Sequence, residues 1–334
     1  MADPTGARAR PDLSRGYAAA LAAAAILATT APFIRYLTQA YGLPALILAF
    51  WRAAFVTLTL LAVLAVFHPG LLRTGRRHLP YLVLYGLMLA LFNSLWTLSI
   101  SLNGAAVATV LAYSSAGFTA LLARWLLKER LDWAKLLAVV VCLGGCVLVA
   151  DALHASAWSA NLPGILTGVL SGLWYAIYSL MGRSASQRGL NPWTTLLYTF
   201  GFATVFLLAF NLLPGGFLPG AAARPADLLW LGSSWAGWGI LFLLAAGPTL
   251  AGYGAYNVSL SYLPSSLANL ILTLEPPFTV VIAYVFLGER LTWVQFAGGL
   301  MILGGVVFLR LYEGRLAAQA RSPSGATTGS ARSQ

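Results

Sequence analysis

The 334-residue sequence has little charge: 9% of its residues are Asp, Glu, Lys or Arg, whereas soluble globular domains carry roughly 25%. Hydrophobic residues make up 59% of the chain. So few charged side chains cannot cover a surface that faces water. The composition therefore excludes a soluble protein and predicts an integral membrane protein.

Groups that bind metals or perform catalysis are also scarce. Cys142 and Cys146 lie one helical turn apart in an apolar run, and are interpreted as packing residues rather than a disulfide or a metal pair. His68, His78 and His154 fall in loops or at the ends of apolar segments. Chemistry at membrane depth would need a cluster of such groups, so the sequence predicts no enzyme, no metal site and no cofactor. It also has no Gly-x-x-x-x-Gly-Lys-(Ser/Thr) loop, so direct ATP drive is not supported.

The net charge of +11 does not indicate nucleic-acid binding, because the arginines are scattered at the ends of apolar segments rather than clustered on one face. The expected partners are a small-molecule substrate and membrane lipids, and the sequence leaves monomer and homodimer open. Frequent Ala and Arg with only two lysines suggest a GC-rich bacterial gene. This usage predicts a protein of the bacterial cytoplasmic (inner) membrane.

Ten apolar segments are each long enough, at about 20 residues, to cross the hydrocarbon core as a helix. They are residues 17–38, 44–67, 79–102, 104–127, 133–151, 162–182, 192–213, 235–260, 264–287 and 293–312. The first exceeds the 7–15 apolar residues of a cleaved signal peptide, so we expect a retained helix. Lys and Arg concentrate in alternate loops, and the opposite loops contain only Arg224 and Arg290. Because basic loops favour the cytoplasm, both termini of this multi-pass protein are predicted to be cytoplasmic.

The chain repeats itself at an offset of 160 residues. Lys-Glu-Arg-Leu-Asp-Trp at 128–133 matches Gly-Glu-Arg-Leu-Thr-Trp at 288–293, and Leu-Gly-Gly at 143–145 matches Leu-Gly-Gly at 303–305. Five spans per half is an odd number, so the second half is expected to run through the membrane in the opposite direction. Inverted repeats are typical of secondary transporters, whose substrate sites lie between the repeats near the midplane.

Further upstream the offset becomes 148, which pairs Gly16 with Gly164 and fits an insertion around 214–234. The prediction is an all-α integral membrane protein of ten transmembrane helices, arranged as two inverted five-helix repeats around a central cavity. Its parts are a disordered cytoplasmic N-terminus (1–15), a first repeat (16–152), an outer linker (153–161), a second, inverted repeat (162–312) and a disordered cytoplasmic tail (313–334).

These motifs resemble those of the drug/metabolite transporter superfamily. Leu-Glu-Pro-Pro-Phe at 274–278, followed by Leu-Gly-Glu-Arg-Leu at 287–291, is similar to the EamA-type signature. The first half departs from it, because Ser115 and Ala116 stand where the second half has Glu275 and Pro276. An essential carboxylate in both halves is therefore excluded. The resemblance implies transport of small solutes, and the aromatic-rich helices resemble those of YddG-like bacterial amino-acid exporters.

Polar and aromatic side chains recur at helical spacing on several spans, and polar residues facing lipid are costly. We therefore expect these stripes to face one substrate cavity. The candidate cavity residues are Asn93, Trp96, Thr97, Tyr113, Trp174, Tyr175, Tyr178, Tyr253, Tyr256, Asn257, Asn269 and Thr273. The alternative interpretation is that these groups only join helices, at about 0.6 kcal/mol per contact.

Two charged residues, Arg52 and Glu275, lie inside spans. Their depths differ by about 6 Å at 1.5 Å per residue, which suggests either a direct pair or a shared polar network. Pro276 and Pro277 remove backbone donors and are expected to kink span nine. Glu275 could contact substrate, hold the bent helix, or do both, and it is the only candidate for proton coupling; otherwise a passive facilitator is expected.

The predicted function is a secondary transporter, more specifically an exporter, of small neutral or zwitterionic metabolites acting by alternating access. Amino acids, including aromatic or apolar ones, are the expected substrates. The ammonium could meet aromatic faces or Glu275, and the carboxylate could meet Arg52, Asn93 or Asn257. The alternative is a multidrug or lipophilic-cation exporter of the same fold. A channel and an intramembrane enzyme are disfavoured.

Overall fold

The computed structural model describes residues 13–128, 132–149, 162–213, 218–278, 281–282 and 292–319. Within these ranges every regular element is helical. Six helical stretches there are long and apolar enough to cross a membrane: Leu13–Ala40, Ala45–Phe67, Arg76–Leu102, Leu162–Gln187, Pro192–Asn211 and Trp235–Tyr262. Two shorter apolar helices cover Trp133–Leu148 and Phe296–Leu309. The prediction of an all-α membrane fold is confirmed at this level.

Twelve α-helices are named within the described residues. The first six are α1 (Leu13–Leu27), α2 (Thr30–Ala40), α3 (Ala45–Phe67), α4 (Leu79–Tyr113), α5 (Ser115–Leu126) and α6 (Trp133–Val149). The next six are α7 (Leu162–Gln187), α8 (Pro192–Asn211), α9 (Trp235–Leu244), α10 (Leu250–Tyr262), α11 (Ser265–Leu272) and α12 (Trp293–Gln319). The predicted outer linker, and the Glu-Arg-Leu turns at 129–131 and 289–291, lie outside the described residues.

The predicted loop between the third and fourth spans is wrong. Helix α4 continues through Asn103 and Gly104 as far as Tyr113. Neither residue forces a helix to end, and in a membrane every backbone group must find a partner inside the protein. The hydrogen-bond ladder is interrupted further on, at Ser114, whose hydroxyl donates to the carbonyl of Leu111 at 2.6 Å. Back-bonding of this kind competes with the helical ladder and bends helices.

The predicted kink in span nine is an interruption of the helix just before the two prolines. Helix α11 ends at Leu272, and a turn at Thr273 and Leu274 leads into a helical turn at 275–278. The first i to i+4 bond of that turn joins the Phe278 amide to the Leu274 carbonyl at 3.2 Å. Pro276 and Pro277 thus occupy first-turn positions, where a backbone donor would have no helical acceptor.

The N-terminal span is broken in a similar way. Helix α1 ends at Leu27, and the Thr29 hydroxyl donates to the Ile26 carbonyl at 2.8 Å. Helix α2 then starts at Thr30 and has Pro32 in its first turn. The sequence Thr-Thr-Ala-Pro at 29–32 carried this signal, although the prediction treated residues 17–38 as one helix.

A π-helical segment at Ala245–Thr249, with Pro248 inside it, separates α9 from α10. The predicted span 235–260 did not include an interruption. π-helical turns are rare in proteins as a whole, but those that occur are often found at functional sites. Four of the described helical stretches are therefore interrupted, at Thr29, Ser114, 245–249 and 273–274.

Helices from the first half of the chain pack against helices from the second half. Helix α1 contacts α10, α3 contacts α8, α4 contacts α7, and α6 contacts α12. The α6–α12 contact is reciprocal: a methyl group on Gly145 would lie 2.6 Å from Ile302 Cγ1, and one on Gly305 would lie 2.7 Å from Cys142 Sγ. Gly145 and Gly305 therefore pack α6 and α12 closely against each other within one chain.

Helix α12 extends to Gln319, beyond the predicted end of the last span at 312. The loop at 218–234 folds over the start of α3, where the Leu46 amide donates to the Gly220 carbonyl at 2.9 Å and the Trp51 indole donates to the Leu228 carbonyl at 2.7 Å. This loop holds the segment of α3 that carries Arg52.

Candidate substrate cavity

A cavity of about 40 Å³ lies among the helices. The residues that line it are Leu27, Thr30, Arg52, Phe92, Trp96, Thr109, Ala112, Tyr113, Tyr175, Tyr253 and Glu275. On this measure a single water needs about 10–15 Å³. The space thus has room for a few waters, and a larger solute requires the surrounding helices to separate.

Arg52 is the cationic residue in the lining of this cavity. Its side chain is only 1% exposed, and its Nη2 donates to Asn93 Oδ1 at 2.7 Å. Its Cζ lies 5.4 Å from the centroid of the Trp96 ring, within the range of a cation–π contact. Nε and Nη1 have no hydrogen-bond partner among the described residues. The guanidinium is therefore held in place but only partly satisfied.

Glu275 is the acidic residue in the lining of the cavity. Its carboxylate accepts a hydrogen bond from the hydroxyl of Tyr113, the last residue of α4. Glu275 is 8% exposed and Tyr113 is 5% exposed. As the first residue of the helical turn at 275–278, the carboxylate also lies where the backbone N–H groups of a helix start favour a negative charge.

Aromatic rings make up much of the rest of the cavity wall. Phe92 and Tyr175 are stacked, with ring centroids 4.7 Å apart and planes at 21°. Phe92 also lies 6.0 Å from Trp96 in a stacked arrangement, and Tyr253 lies edge-on to Phe200 outside the cavity at 5.2 Å. The cavity lining thus combines a guanidinium, a carboxyl group and several aromatic rings.

The predicted Arg52–Glu275 relationship takes the form of a shared cavity. Both residues line it, but the hydrogen bond of Arg52 goes to Asn93, and Tyr113 bonds to Glu275. Among the described residues the direct pair is not formed, and the two hydrogen bonds have no residue in common, so what Arg52 and Glu275 share is the cavity. A solute in the cavity could contact both.

Three predicted residues lie behind the cavity wall rather than on it. The Tyr178 hydroxyl donates to Asn257 Oδ1 at 3.3 Å, and the Tyr256 hydroxyl donates to Ser179 Oγ at 2.6 Å. The Tyr178 ring is stacked with Tyr175 at 6.1 Å. These residues form a second layer that supports the wall.

Asn269 is also behind the wall, where it joins three helices. Its Nδ2 donates to Thr119 Oγ1 at 3.0 Å and to Ser179 Oγ at 3.1 Å, and its Oδ1 accepts from Ser115 Oγ at 3.1 Å. These partners belong to α5 and α7. The interpretation of polar stripes as connections between helices therefore describes Asn269 well.

Three other candidates are placed away from the cavity lining. The Thr97 hydroxyl donates to the Asn93 carbonyl at 2.7 Å, and the Thr273 hydroxyl donates to the Leu270 carbonyl at 2.6 Å. Trp174 is half-buried and packs against the hydrophobic core. Both threonines thus bond to their own helices.

Five lining residues were not predicted as site residues: Leu27, Thr30, Phe92, Thr109 and Ala112. Thr30 is 2% exposed, and its hydroxyl has no hydrogen-bond partner among the described residues. Its signal was the Thr-Thr-Ala-Pro break. The apolar residues have no signal of their own, because a cavity wall and a packed core use the same side chains.

A helical membrane protein whose interrupted helices surround a polar cavity belongs to the class of small-solute transporters, because irregular backbone at membrane depth is tolerated only beside protein or a cavity. Sequence comparison gives the family. The sequence profile of the EamA-like transporter family matches residues 14–150 and 162–311. The chain belongs to the EamA-like transporter family.

Individual relatives are transporters as well. The chain is 28% identical over 296 residues to an uncharacterized transporter of Archaeoglobus fulgidus, covering 87% of this chain and 95% of that protein. It is 30% identical over 291 residues to a probable terminal-alkyne amino-acid exporter of Streptantibioticus cattleyicolor, covering 84% and 89%. It is 27% identical over 248 residues to the threonine/homoserine exporter RhtA of Escherichia coli, covering 74% and 75%.

A solved crystal structure has the same fold. It superposes with a TM-score of 0.71 over 92% of this chain and 99% of its own, at 16% sequence identity. The family, these relatives and the apolar helices together make this chain a multi-pass membrane transporter. The predicted family is confirmed.

Proposed function

We propose that this protein is a secondary transporter that exports small neutral or zwitterionic metabolites, above all amino acids, by alternating access. The observation that carries the proposal is the cavity between Arg52 and Glu275, around which the helices are interrupted. Thr30, Tyr113 and Glu275 each line it, and each lies next to a break in a helix. Discontinuous helices at a central site are a general feature of secondary transporters.

The proposed architecture is ten transmembrane helices in two inverted five-helix repeats. The two segments matched by the family profile support it, as do interruptions at Ser114 and Leu274, which are 160 residues apart. In each half the helix restarts with a bond from a phenylalanine amide: Phe118 to Ser114 at 3.1 Å, and Phe278 to Leu274 at 3.2 Å. The reciprocal contacts Gly145–Ile302 and Gly305–Cys142 follow the same offset.

The proposed substrate class rests on the chemistry of the cavity and on the relatives. A zwitterion presents both charges to a site that has a cation and a carboxylate in its lining, and aromatic walls suit apolar side chains. Two of the relatives are named as exporters of amino acids. Lipophilic cations are the second candidate, because Glu275 and the aromatic faces also suit them; the buried Arg52 argues against them.

The proposed setting is the bacterial inner membrane with both termini cytoplasmic. The basic loops support this orientation. The proposed partners are lipids and substrate, with no nucleic acid, and the working unit is a monomer or a homodimer. Cysteine-accessibility labelling from either side of the membrane at an introduced residue near Arg15 tests the orientation.

Counterflow in liposomes tests the transport function. Purified protein is reconstituted in phosphatidylethanolamine/phosphatidylglycerol vesicles, loaded with an unlabelled amino acid, and assayed for uptake of the labelled one. Saturable exchange of amino acids is the expected result. Exchange of lipophilic cations alone would select the second candidate, and non-saturable flux would indicate a channel.

A further inference from the structure

The buried Arg52 has no acidic hydrogen-bond partner among the described residues. Its single described hydrogen bond goes to a neutral amide, Asn93, and two of its nitrogens have no partner among the described residues. A cation removed from water is costly unless it is paired. An arginine held at 1% exposure with unused donors therefore calls for an anionic ligand.

The neighbouring groups strengthen this requirement. Asn93 gives its oxygen to Arg52, and its Nδ2 has no partner among the described residues. A guanidinium has five N–H donors and no acceptor, whereas a carboxylate only accepts. Arg52 and Asn93 together thus offer several unused donors, which is the complement of a carboxylate group.

The position of Arg52 excludes a purely structural pairing with the acid across the cavity. Glu275 and Arg52 line the same space of about 40 Å³, but Arg52 bonds to α4 through Asn93. Asn93 and the Trp96 ring hold the guanidinium from one side, so it is fixed before any ligand arrives. Groups pre-organised in this way lose little entropy on binding.

We propose that Arg52 binds the carboxylate of the transported solute and makes that carboxylate a requirement for transport. The solute class is then free amino acids, and amines or esters that share the same side chain are rejected. This inference rests on the proposed function and goes further by naming the residue that sets specificity. Rejection follows because a ligand without a carboxylate leaves the buried cation uncompensated.

The experiment compares three ligands that differ at one group. Labelled L-threonine is the counterflow probe, and unlabelled L-threonine, its methyl ester and 1-amino-2-propanol compete with it. The protein variants are wild type, Arg52→Gln, Arg52→Lys and the matched control Arg35→Gln, whose side chain is exposed on α2. Each arm is run in chloride and in methanesulfonate, an anion without a carboxylate.

The expected result is that only free L-threonine competes in the wild type and in Arg35→Gln. In Arg52→Gln the apparent affinity for L-threonine falls by about ten- to hundredfold, the range for a lost charged hydrogen bond, and the acid loses its advantage over the ester. Arg52→Lys keeps the charge without the planar fork and should fall between the two.

Several results would overturn the assignment. Equal competition by L-threonine and its methyl ester in the wild type would contradict the role assigned to Arg52, whereas the proposal of amino-acid transport would stand. Full selectivity in Arg52→Gln would do the same. Competition by the ester or the amine that depends on chloride would show that an inorganic anion, rather than the solute, occupies Arg52.

Two further outcomes are separated by design. If Arg52→Gln does not fold, the ligand comparison in the wild type decides, together with thermal stabilisation of the wild-type protein by L-threonine against the ester. If no amino acid exchanges but a lipophilic cation does, the proposed function fails first, and the Arg52 assignment fails with it.

Discussion

The hydroxyl of Tyr113 donates a hydrogen bond to the carboxylate of Glu275. This contact joins the end of α4 to the helical turn at 275–278, so that it connects the two segments matched by the family profile. Both residues line the cavity. The bond therefore ties two interrupted helices together at the proposed substrate site.

Loss of this bond is expected to destabilise the protein. Tyr113→Phe leaves a buried acceptor without its donor, which costs about 1–3 kcal/mol and lowers the melting temperature in detergent. Glu275→Gln retains an acceptor for Tyr113, so its melting temperature should fall less. Tyr36→Phe, at a residue 51% exposed on α2, is the matched control. Equal melting temperatures for Tyr113→Phe and Tyr36→Phe would contradict the role given to the bond.

Transport by Glu275→Gln is expected to lose its dependence on pH. Glu275 is the carboxylate among the residues that line the cavity, so removal of its charge removes the group that could carry a proton through the cycle. Counterflow at acidic and alkaline pH measures the effect. Asp132→Asn is the control, since Asp132 instead accepts from the Lys135 amide at the start of α6. Wild-type counterflow without any pH dependence would favour a passive facilitator.

Substitution of the two glycines at the α6–α12 contact is expected to destabilise the fold selectively. Gly145→Ala and Gly305→Ala place a methyl group within 2.7 Å of the facing helix. Overpacking of this kind costs about 1–3 kcal/mol. At Gly304 a methyl group would meet no atom within 4 Å, so Gly304→Ala is a control one residue away. The measurement is the melting temperature, and a matching loss for Gly304→Ala would refute the packing argument.

Replacement of Pro276 and Pro277 by alanine is expected to change stability little. Their missing donors fall in the first turn after Leu274, where no helical acceptor exists. The equivalent interruption at Ser114 forms without any proline. Ala203→Pro, in the interior of α8 and fully buried, is the contrast and should cost about 3 kcal/mol or more. A large loss for the double alanine variant would show that the prolines themselves create the break.

Asn269→Ala is expected to be among the more damaging single substitutions. It leaves Ser115, Thr119 and Ser179 without one partner each in the buried interior. Each unsatisfied buried group costs about 1–3 kcal/mol, so a clear fall in melting temperature and yield is expected. Thr167→Ala, which removes only bonds within its own helix at a half-buried site, should be mild by comparison. Similar losses for the two variants would contradict the connecting role of Asn269.

Much of the helical pattern was predictable, because long apolar runs can satisfy their backbones in lipid only as helices or closed barrels. The places where helices break were less so. Pro276 and Pro277 pointed to one break, but the break at Ser114 depends on a serine hydroxyl that bonds backwards, and most serines in helices do not interrupt them. Asn103 and Gly104, by contrast, look like a loop and continue the helix.

The candidate site was predictable in its charges and less so in its lining. Arg52 and Glu275 are costly in a membrane, so each needed a buried environment, and both line the cavity. A polar stripe shows that Asn257 and Asn269 face inward but not whether their amides are already taken by other side chains. Periodicity gives a direction for each residue, whereas the cavity is defined by the gaps that the packed residues leave.

The reciprocal contact of Gly145 with Ile302 and of Gly305 with Cys142 has a mechanical consequence. Two helices that meet through bare backbone and have no clearance for a methyl group cannot slide past each other without a clash. We expect α6 and α12 to keep the same positions relative to each other during the transport cycle. The movement that admits a solute would then occur in α1–α2 and α9–α10, whose helical hydrogen bonding is already interrupted.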